Sequence, residues 1–250
     1  MSDIAIIVPA RLRSSRFPEK LLYEIGGKPL ILHGAERIRG EAPEIPLVFA
    51  VDSEKVEGVL KGAGFRAVMT SPDHPSGSDR IAEANASVGA SYVINVQADE
   101  PMVTGGQIRA LGAAVRGGAP MATLATRFDR REDFLDPNQV KVVLDNRQRA
   151  LYFSRGPIPY PRDEMDTFDA SWLTSHRCYR HLGLYAFQAD FLRTLTGLPP
   201  GYLEQVERLE QLRVLENGYS ISVALTDETT IGIDTPEDAA RFEAYLMESG

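Results

Sequence analysis

The hydrophobic positions of this chain change their pattern near its middle. In the first half, short runs rich in β-branched residues alternate with segments of helical spacing. Strands are predicted at residues 4–8, 46–51, 66–70 and 92–96, and helices at residues 29–39, 54–62, 76–88 and 106–115. Such alternation is typical of βαβ units, so we predict an α/β fold with a mostly parallel sheet and right-handed crossovers.

Beyond residue 119 the pattern favours antiparallel hairpins. Strands are predicted at residues 121–126, 140–144, 150–153, 181–187 and 220–225, and helices at residues 202–217 and 236–247. Residues 145–148 form a turn that joins two of these strands, and residues 163–177, which lack periodicity, are predicted as a loop. We therefore expect a second lobe or a hairpin-containing sheet extension, continuous with the first half.

Composition narrows the function classes. A net charge of −8 and a pI near 5.1 argue against broad nucleic-acid binding, which needs a basic face. The single cysteine, Cys178, excludes a disulfide framework and is interpreted as an incidental thiol. No apolar stretch reaches the roughly 20 residues of a membrane helix, and no charged leader precedes the first apolar run. We expect a cytoplasmic protein without membrane contact.

The segment after the first strand is basic in an otherwise acidic protein. Residues 1–20 carry four basic and two acidic side chains. Arg11, Arg16 and Lys20 lie in this basic loop, where guanidinium groups can bind phosphate oxygens bidentately, although a solvated turn is the alternative. Ligands of parallel sheets collect beyond the carboxyl ends of the strands. The basic loop and the segments after residues 70 and 96 are therefore expected to share one crevice.

A helix start follows the third strand. Ser76 is predicted as its N-cap, with Asp79 in the position of an approximate capping box. Gly77 is not needed for the cap, and a glycine there would let a flat ligand approach the backbone closely. Both interpretations can hold together.

Two carboxylates are predicted near strand ends. Asn95, Gln97 and Asp99 share one face while the fourth strand persists, and a buried carboxylate needs a partner such as a metal cation. Asp234 precedes a helix that Thr235 already caps, so its carboxylate is available for another role. Together they suit Mg²⁺, which takes one or two carboxylates with substrate phosphates. A plain turn and an ordinary surface acid are the alternatives.

The second half contains a candidate polar cavity. Glu210 interrupts an apolar stripe of the long helix predicted at residues 202–217. It either pairs with Arg213 at a boundary or, with Gln211, binds hydroxyl groups. His181 and Tyr185 lie an even number of positions apart on one strand, so they share a face and could line the same cavity.

Seven motifs in order resemble the 3-deoxy-manno-octulosonate (Kdo) cytidylyltransferase family, also called CMP-Kdo synthetases. Any one of these motifs is weak evidence for the family, but together they occur in the family's order over nearly the whole chain. The motifs are Pro-Ala-Arg with Ser-Ser-Arg and Lys20 (residues 9–20), Ser-Gly-Ser-Asp-Arg (76–80), Val-Gln-Ala-Asp-Glu-Pro (96–101), Ala-Leu-Tyr-Phe-Ser-Arg (150–155), Arg-His-Leu-Gly-Leu-Tyr (180–185), Leu-Glu-Gln-Leu-Arg (209–213) and Ile-Asp-Thr-Pro-Glu-Asp (233–238).

The resemblance implies a fold, a reaction and a set of residue roles. It implies a Rossmann-like nucleotide-diphospho-sugar transferase fold, a homodimer, and the reaction of CTP with Kdo to CMP-Kdo and pyrophosphate for lipopolysaccharide biosynthesis. It also implies one domain over residues 1–250, with a CTP-binding half (1–119) and a sugar-binding and dimerisation half (120–250). The roles carried over are catalysis by Arg11, Lys20, Asp99 and Asp234; CTP binding by Ala10, Arg11, Arg16, Lys20, Ser76, Gly77 and Arg80; sugar binding by Gln97, Arg155, His181, Tyr185, Glu210 and Gln211; and Mg²⁺ binding by Asp99 and Asp234.

The chain departs from the family pattern at residues near the site. Ala98 and Glu19 stand where the family usually has glycine, and residues 78–79 are Ser-Asp in place of the usual Thr-Glu. Glu19 would weaken phosphate attraction if it faced inward. Alternatives to Kdo are its 8-amino analogue, a sialic acid or another 2-keto sugar acid. A more distant alternative is a regulatory module that binds nucleotide without catalysis.

Overall fold

The computed structural model describes residues 3–12, 17–229 and 232–249. The chain forms two compact units, one comprising Met1–Arg109 with Thr230–Gly250 and the other comprising Ala110–Thr229. In the described ranges, no helix is both long and apolar enough to cross a membrane. The functional division at residue 119 remains a prediction.

The first unit is built on a parallel sheet. Its elements are β1 (Ile4–Ala10), a 3-10 turn (Lys20–Leu22), β2 (Glu24–Ile25), β3 (Lys28–Pro29), α1 (Leu30–Glu41), β4 (Leu47–Val51), α2 (Glu54–Gly62), β5 (Arg66–Met69), α3 (Gly77–Val88), β6 (Tyr92–Asn95), α4 (Gly105–Arg116), which continues into the second unit, and α10 (Pro236–Ser249). The strand order is β6-β1-β4-β5, all parallel, with Ile6 paired to Leu47 and Ile94. Residues 4–8 are all buried, which explains why the sequence of β1 is a continuous apolar run and does not alternate with polar residues.

Parallel pairing brings the carboxyl ends of these strands to one edge. Ala10 ends β1, Asp52 follows β4, Thr70 follows β5 and Gln97 follows β6. The predicted strands and helices of this half are confirmed, with end points that differ by one or two residues. The expected gathering of polar segments at one sheet edge follows from this topology.

The second unit has a mixed sheet. Its elements are β7 (Met121–Arg127), α5 (Arg131–Leu135), β8 (Lys141–Leu144), β9 (Ala150–Ser154), α6 (Ala170–Ser175), β10 (Tyr179–Gln188), α7 (Ala189–Gly197), α8 (Tyr202–Glu207), α9 (Gln211–Glu216) and β11 (Ile221–Leu225). Strand β7 lies between antiparallel β10 and parallel β11, and β8 pairs with both β10 and β9. The predicted hairpin at residues 145–148 is confirmed, as is the α/β class.

Two predictions for this half are wrong. The loop predicted at residues 163–177 contains α6, whose N-cap Asp169 accepts a hydrogen bond from Trp172 N at 3.1 Å. The helix is too short to show periodicity, so its cap was its only sequence signal.

The single helix predicted at residues 202–217 is two helices. Arg208 adopts a left-handed conformation (φ 56°) between α8 and α9, which ends the first helix. As a result Val206, which a single helix would place one turn before Glu210, is 63% exposed, and Glu210 lies outside a continuous helical face.

Candidate active site

The side chain of Lys20 lies between two carboxylates. Its Nζ donates to Asp99 Oδ2 at 2.5 Å and to Asp234 Oδ1 at 2.9 Å, and the lysine is only 9% exposed. These three residues come from the turn after the basic loop, the segment after β6 and the segment before α10. The structure therefore brings together the predicted phosphate lysine and both predicted metal ligands.

The charges of this triad stabilise one another. Burial alone would lower the pKa of Lys20, but the charges of Asp99 and Asp234 and their hydrogen bonds raise it more. The net result is a pKa above the usual 10.5, so Lys20 is a cation at neutral pH.

Local structure holds Asp234 in place. Thr235 Oγ1 accepts from Asp238 N at 3.2 Å and Asp238 Oδ2 accepts from Thr235 N at 2.9 Å, which confirms the predicted helix cap. Ile233 is fully buried in a cluster with Phe242, and its amide donates to Asp99 O at 2.9 Å. This backbone bond keeps the two aspartate segments side by side.

The carboxylate pair fits a cation that substrate helps to bind. Within residues 3–12, 17–229 and 232–249, no group of three or more His, Cys, Asp or Glu side chains could hold a metal ion by itself. Mg²⁺ does not need such a group, because it is usually bound by one or two carboxylates, waters and substrate phosphates. Asp99 and Asp234 already share one positive charge, so their arrangement suits that coordination.

Arg80, a predicted nucleotide-binding residue, is buried and fixed by two partners. Its Nη2 donates to Asp52 Oδ2 at 3.1 Å and its Nη1 donates to Thr70 Oγ1 at 2.7 Å. Asp52 also accepts from the backbone N of Leu12 at 2.9 Å. Asp52 therefore links the described start of the basic loop to Arg80.

Ser76 and Gly77 form the start of α3 as predicted. Ser76 Oγ accepts from Asp79 N at 3.2 Å. A Cβ added at Gly77 would lie 3.4 Å from Pro9 Cγ, an ordinary van der Waals distance, so the helix start packs against the end of β1 without requiring glycine. The two segments proposed to surround the nucleotide are therefore in contact.

The remaining residues of the basic loop differ in burial. Ala10 is fully buried at the end of β1, whereas Arg11 is exposed. Arg16 lies outside the described residues. Glu19 has φ 50°, and its carboxylate faces Lys55 Nζ at 3.2 Å. The Glu19 carboxylate is thus paired with a cation, and the left-handed backbone explains why glycine suits the position.

Ala98 introduces no comparable backbone strain. In the described parts of the chain, the non-glycine residues with positive φ are Glu19, Gln148 and Arg208. Ala98 is buried beside Asp99, and Gln97 is half-buried between β6 and Ala98.

The second unit holds a cluster of three predicted sugar-binding residues. The rings of His181 and Tyr185 lie 5.5 Å apart on β10, and Tyr185 OH donates to Gln211 Oε1 at 3.3 Å. Gln211 is buried, and its Nε2 has no hydrogen-bond partner in the described structure. A ligand oxygen could satisfy this amide.

His181 is a neutral imidazole. Burial lowers its pKa to about 3, because no opposite charge compensates for the loss of water. Its Nε2 lies 2.9 Å from Thr123 Oγ1, and Phe153 packs edge-on against the ring at 4.9 Å. At neutral pH it can therefore offer hydrogen bonds but no charge.

Arg155 is held by backbone oxygens near the end of α8. Its Nε donates to Glu207 O at 2.7 Å and its Nη1 to Pro137 O at 3.0 Å. The Glu207 carboxylate in turn accepts from Ser154 Oγ at 2.7 Å and from Arg155 N at 2.9 Å. This clamp fixes the junction between α8 and α9, next to which exposed Glu210 precedes Gln211.

Cys178 is not placed for nucleophilic catalysis. It is fully buried with Phe128 and Phe134, and burial raises its thiol pKa to about 11. These properties support the interpretation of Cys178 as an incidental thiol.

Sequence reasoning missed three supporting residues. They are Asp52, Thr123 and Glu207. Asp52 directly follows a predicted strand, so the argument used for the other strand-end aspartates could have found it. Thr123 and Glu207 gave no such signal, because their contacts depend on a strand irregularity and on a helix end that the sequence pattern did not reveal.

Known proteins resemble this chain over nearly its whole length. Residues 5–222 match the model of a family described as Cytidylyltransferase. A 3-deoxy-manno-octulosonate cytidylyltransferase from Syntrophotalea carbinolica is 44% identical over 246 residues, which cover 98% of each chain. One from Syntrophobacter fumaroxidans is 47% identical over 237 residues, 93% of this chain and 92% of the relative.

Solved structures of nucleotidyltransferases have the same fold as this chain. CMP:2-keto-3-deoxy-manno-octonic acid synthetase complexed with CTP superposes with a TM-score of 0.90 at 38% identity, covering both chains completely. A 4-diphosphocytidyl-2C-methyl-D-erythritol synthase from Anaerococcus prevotii, with a TM-score of 0.61 at 12% identity, shares the fold alone. The Rossmann-like nucleotidyltransferase fold is thereby confirmed. The chain belongs to the 3-deoxy-manno-octulosonate cytidylyltransferase family.

Proposed function

We propose that this protein transfers CMP from CTP to the anomeric hydroxyl of Kdo, giving CMP-Kdo and pyrophosphate. The observation that carries the proposal is the triad of Lys20, Asp99 and Asp234 in a chain of this family. A lysine and two carboxylates at one point can bind a triphosphate together with its cation.

Lys20 would hold a phosphate oxygen of CTP. An ammonium group has three N–H donors, and the two aspartates use two of them. The third remains for a phosphate oxygen. Arg11 and Arg16 would supply further positive charge from the basic loop, and the exposed guanidinium of Arg11 can reach a ligand without losing a described partner.

Asp99 and Asp234 would hold Mg²⁺ together with the phosphates. When bound, Mg²⁺ would lower the pKa of the attacking hydroxyl and neutralise the departing pyrophosphate. The chain's own contribution is to fix both carboxylates through the Ile233–Asp99 backbone bond and the cap of α10.

The reaction is an in-line displacement at the α-phosphorus. The sugar oxygen forms a bond to phosphorus, the bond to the pyrophosphate oxygen breaks, and the hydroxyl proton is released. No covalent enzyme intermediate is needed, so positioning and charge stabilisation account for the rate.

Nucleotide and sugar would be bound by different groups of residues. Ser76, Gly77, Arg80 and the main chain of Ala10 would surround cytosine and ribose, and the partners of Arg80 hold it rigid for this role. Gln97, Arg155, His181, Tyr185, Glu210 and Gln211 would bind the sugar acid. Hydroxyl groups of Kdo match the neutral, hydrogen-bonding character of His181, Tyr185 and Gln211.

We further propose a cytoplasmic homodimer. The hairpin formed by β8 and β9, which carries the exposed Leu151, is the region we propose for the subunit contact. Light scattering on the purified protein would test the dimer, and a monomer at micromolar concentration would contradict it.

A substrate panel tests the function. Pyrophosphate release from CTP should be fastest with Kdo and slower with 8-amino-Kdo or a sialic acid. Turnover with one of the other acids and none with Kdo would overturn the assignment. CTP binding without turnover of any acid would instead indicate a regulatory module.

A further inference from the structure

The hydroxyl of Thr123 makes three close contacts inside the second unit. Its Oγ1 lies 2.7 Å from Leu184 O, 3.2 Å from Leu182 O and 2.9 Å from His181 Nε2. Thr123 is fully buried on β7, so water does not compete for these contacts.

A strand irregularity creates this arrangement. In the pairing of β10 with β7, Leu182 lies opposite Leu124, but Tyr185 already lies opposite Thr123. Two extra residues, Gly183 and Leu184, therefore bulge from β10 and disturb the ladder of backbone hydrogen bonds. At this irregularity the Thr123 hydroxyl lies within hydrogen-bond distance of both Leu182 O and Leu184 O.

The tautomer of His181 follows from the number of protons available to its contacts with Thr123. Two oxygens 2.7 Å apart repel each other unless a proton lies between them, and a peptide carbonyl has none to give. The single hydroxyl proton of Thr123 must therefore point at Leu184 O. The contact between Thr123 Oγ1 and His181 Nε2 then needs a proton from the imidazole, so Nε2 is the protonated nitrogen.

We infer that Thr123 is a positioning residue, which holds His181 in the neutral Nε2–H tautomer and leaves Nδ1 as a hydrogen-bond acceptor for a substrate hydroxyl. No hydrogen bond to Nδ1 is present in the part of the chain that the structure describes. The rings of Phe153 and Tyr185 restrict rotation of the imidazole, so the acceptor has a defined direction. The substrate part of this inference rests on the proposed function, since it takes the hydroxyl to be one of Kdo.

The tautomer can be measured without substrate. In the full-length protein labelled with ¹⁵N histidine, long-range ¹H–¹⁵N spectra at pH 7.5 distinguish a protonated ring nitrogen from one with a lone pair. The His181 signals are assigned by their loss in His181→Gln. A proton on Nε2 is expected, and a proton on Nδ1 would overturn the inference even if the enzyme makes CMP-Kdo.

Two variants test the link to substrate. Thr123→Val removes the hydroxyl at similar volume and should raise KM for Kdo roughly tenfold, as expected for one lost hydrogen bond, with KM for CTP unchanged. Thr123→Ser keeps the hydroxyl and should restore the wild-type tautomer and a KM within about twofold. An unchanged KM for Kdo in folded Thr123→Val would overturn the positioning role.

The two failures remain distinguishable. If the wild type does not turn over Kdo, the proposed function fails while the spectrum still decides the tautomer. Circular dichroism would show whether Thr123→Val folds. If it does not, the role of Thr123 is tested by the tautomer of the wild-type protein and by the kinetics of Thr123→Ser. Loss of Kdo affinity in folded Thr123→Ser, despite its hydroxyl, would count against the inference.

Discussion

Lys20 and Asp234 are 214 positions apart in the chain, yet Lys20 Nζ donates to Asp234 Oδ1 at 2.9 Å. The contact requires the segment before α10 to return to the parallel sheet of the first unit. The lysine also contacts Asp99, so both carboxylates share one cation.

Asp99→Asn should lower kcat/KM by about 100-fold or more, since one lost electrostatic contact at a reacting phosphate costs about 3 kcal/mol. The fold should survive, because Lys20 keeps Asp234 as a partner. Asp190→Asn is the matched control, since its carboxylate forms an exposed pair with Arg193. Full activity of Asp99→Asn would contradict the metal assignment.

Metal binding should depend on the nucleotide. Electron paramagnetic resonance with Mn²⁺ as the probe should show weak binding to the free protein and much tighter binding with CTP, because two carboxylates provide only part of a coordination shell. A chelator should abolish turnover reversibly. Equally tight binding of Mn²⁺ to the protein without CTP would argue against a site completed by phosphates.

Glu19→Gly should raise the free energy of unfolding by about 1 kcal/mol, because glycine adopts the left-handed conformation without a Cβ penalty. KM for CTP should stay within about twofold, since Glu19 faces Lys55. Glu19→Gln separates charge from backbone, because it keeps the strained conformation. A large change in KM for CTP in Glu19→Gln would mean that the carboxylate acts on the phosphate site. Urea unfolding and steady-state kinetics provide these measurements.

Asp52→Asn should destabilise the protein by about 3 kcal/mol, because it leaves the buried guanidinium of Arg80 without its charged partner. Thr70→Val, which removes the neutral partner, should cost about 1 to 2 kcal/mol. Urea unfolding measures both. A smaller loss in Asp52→Asn than in Thr70→Val would refute the importance of the ion pair.

Acid should destabilise the protein partly through His181. The unfolded chain takes up a proton near pH 6.5, whereas the folded protein resists protonation until about pH 3. Stability is therefore lost as pH falls through this window, on the order of a few kcal/mol at its acid end. His181→Gln keeps an N–H donor for Thr123 but does not titrate, so its unfolding free energy should depend less on pH. Parallel pH dependences for the two proteins would contradict a buried neutral histidine.

Sequence patterns predicted the first unit well. Strands β1, β4 and β6 are largely buried, so they appear as apolar runs, and the cap residue Ser76 marks the start of α3. The position of Asp99 was also predictable, because it closely follows β6, whose carboxyl end lies at the ligand-binding edge of the parallel sheet. Asp234 directly follows no strand in the described residues, so its approach to Lys20 could not be derived from sheet topology.

The second unit was harder to predict for local reasons. The left-handed conformation at residue 208 is adopted by an arginine and not by a glycine, which would have indicated a helix end. The sequence pattern therefore predicted α8 and α9 as one helix. The bulge in β10 leaves the alternation of His181 and Tyr185 intact, so Thr123 could not be identified as their neighbour. Backbone irregularities set by tertiary contacts leave little trace in hydrophobic periodicity.

Phosphorus-31 nuclear magnetic resonance of a mixture of CTP, Kdo, Mg²⁺ and the purified protein would follow the proposed CMP transfer directly. We predict that the three CTP signals are replaced by one phosphodiester signal of CMP-Kdo and one of pyrophosphate, in equal molar amounts. Formation of CDP and phosphate, release of free CMP as the primary product, or no reaction with Kdo would contradict transfer at the α-phosphorus.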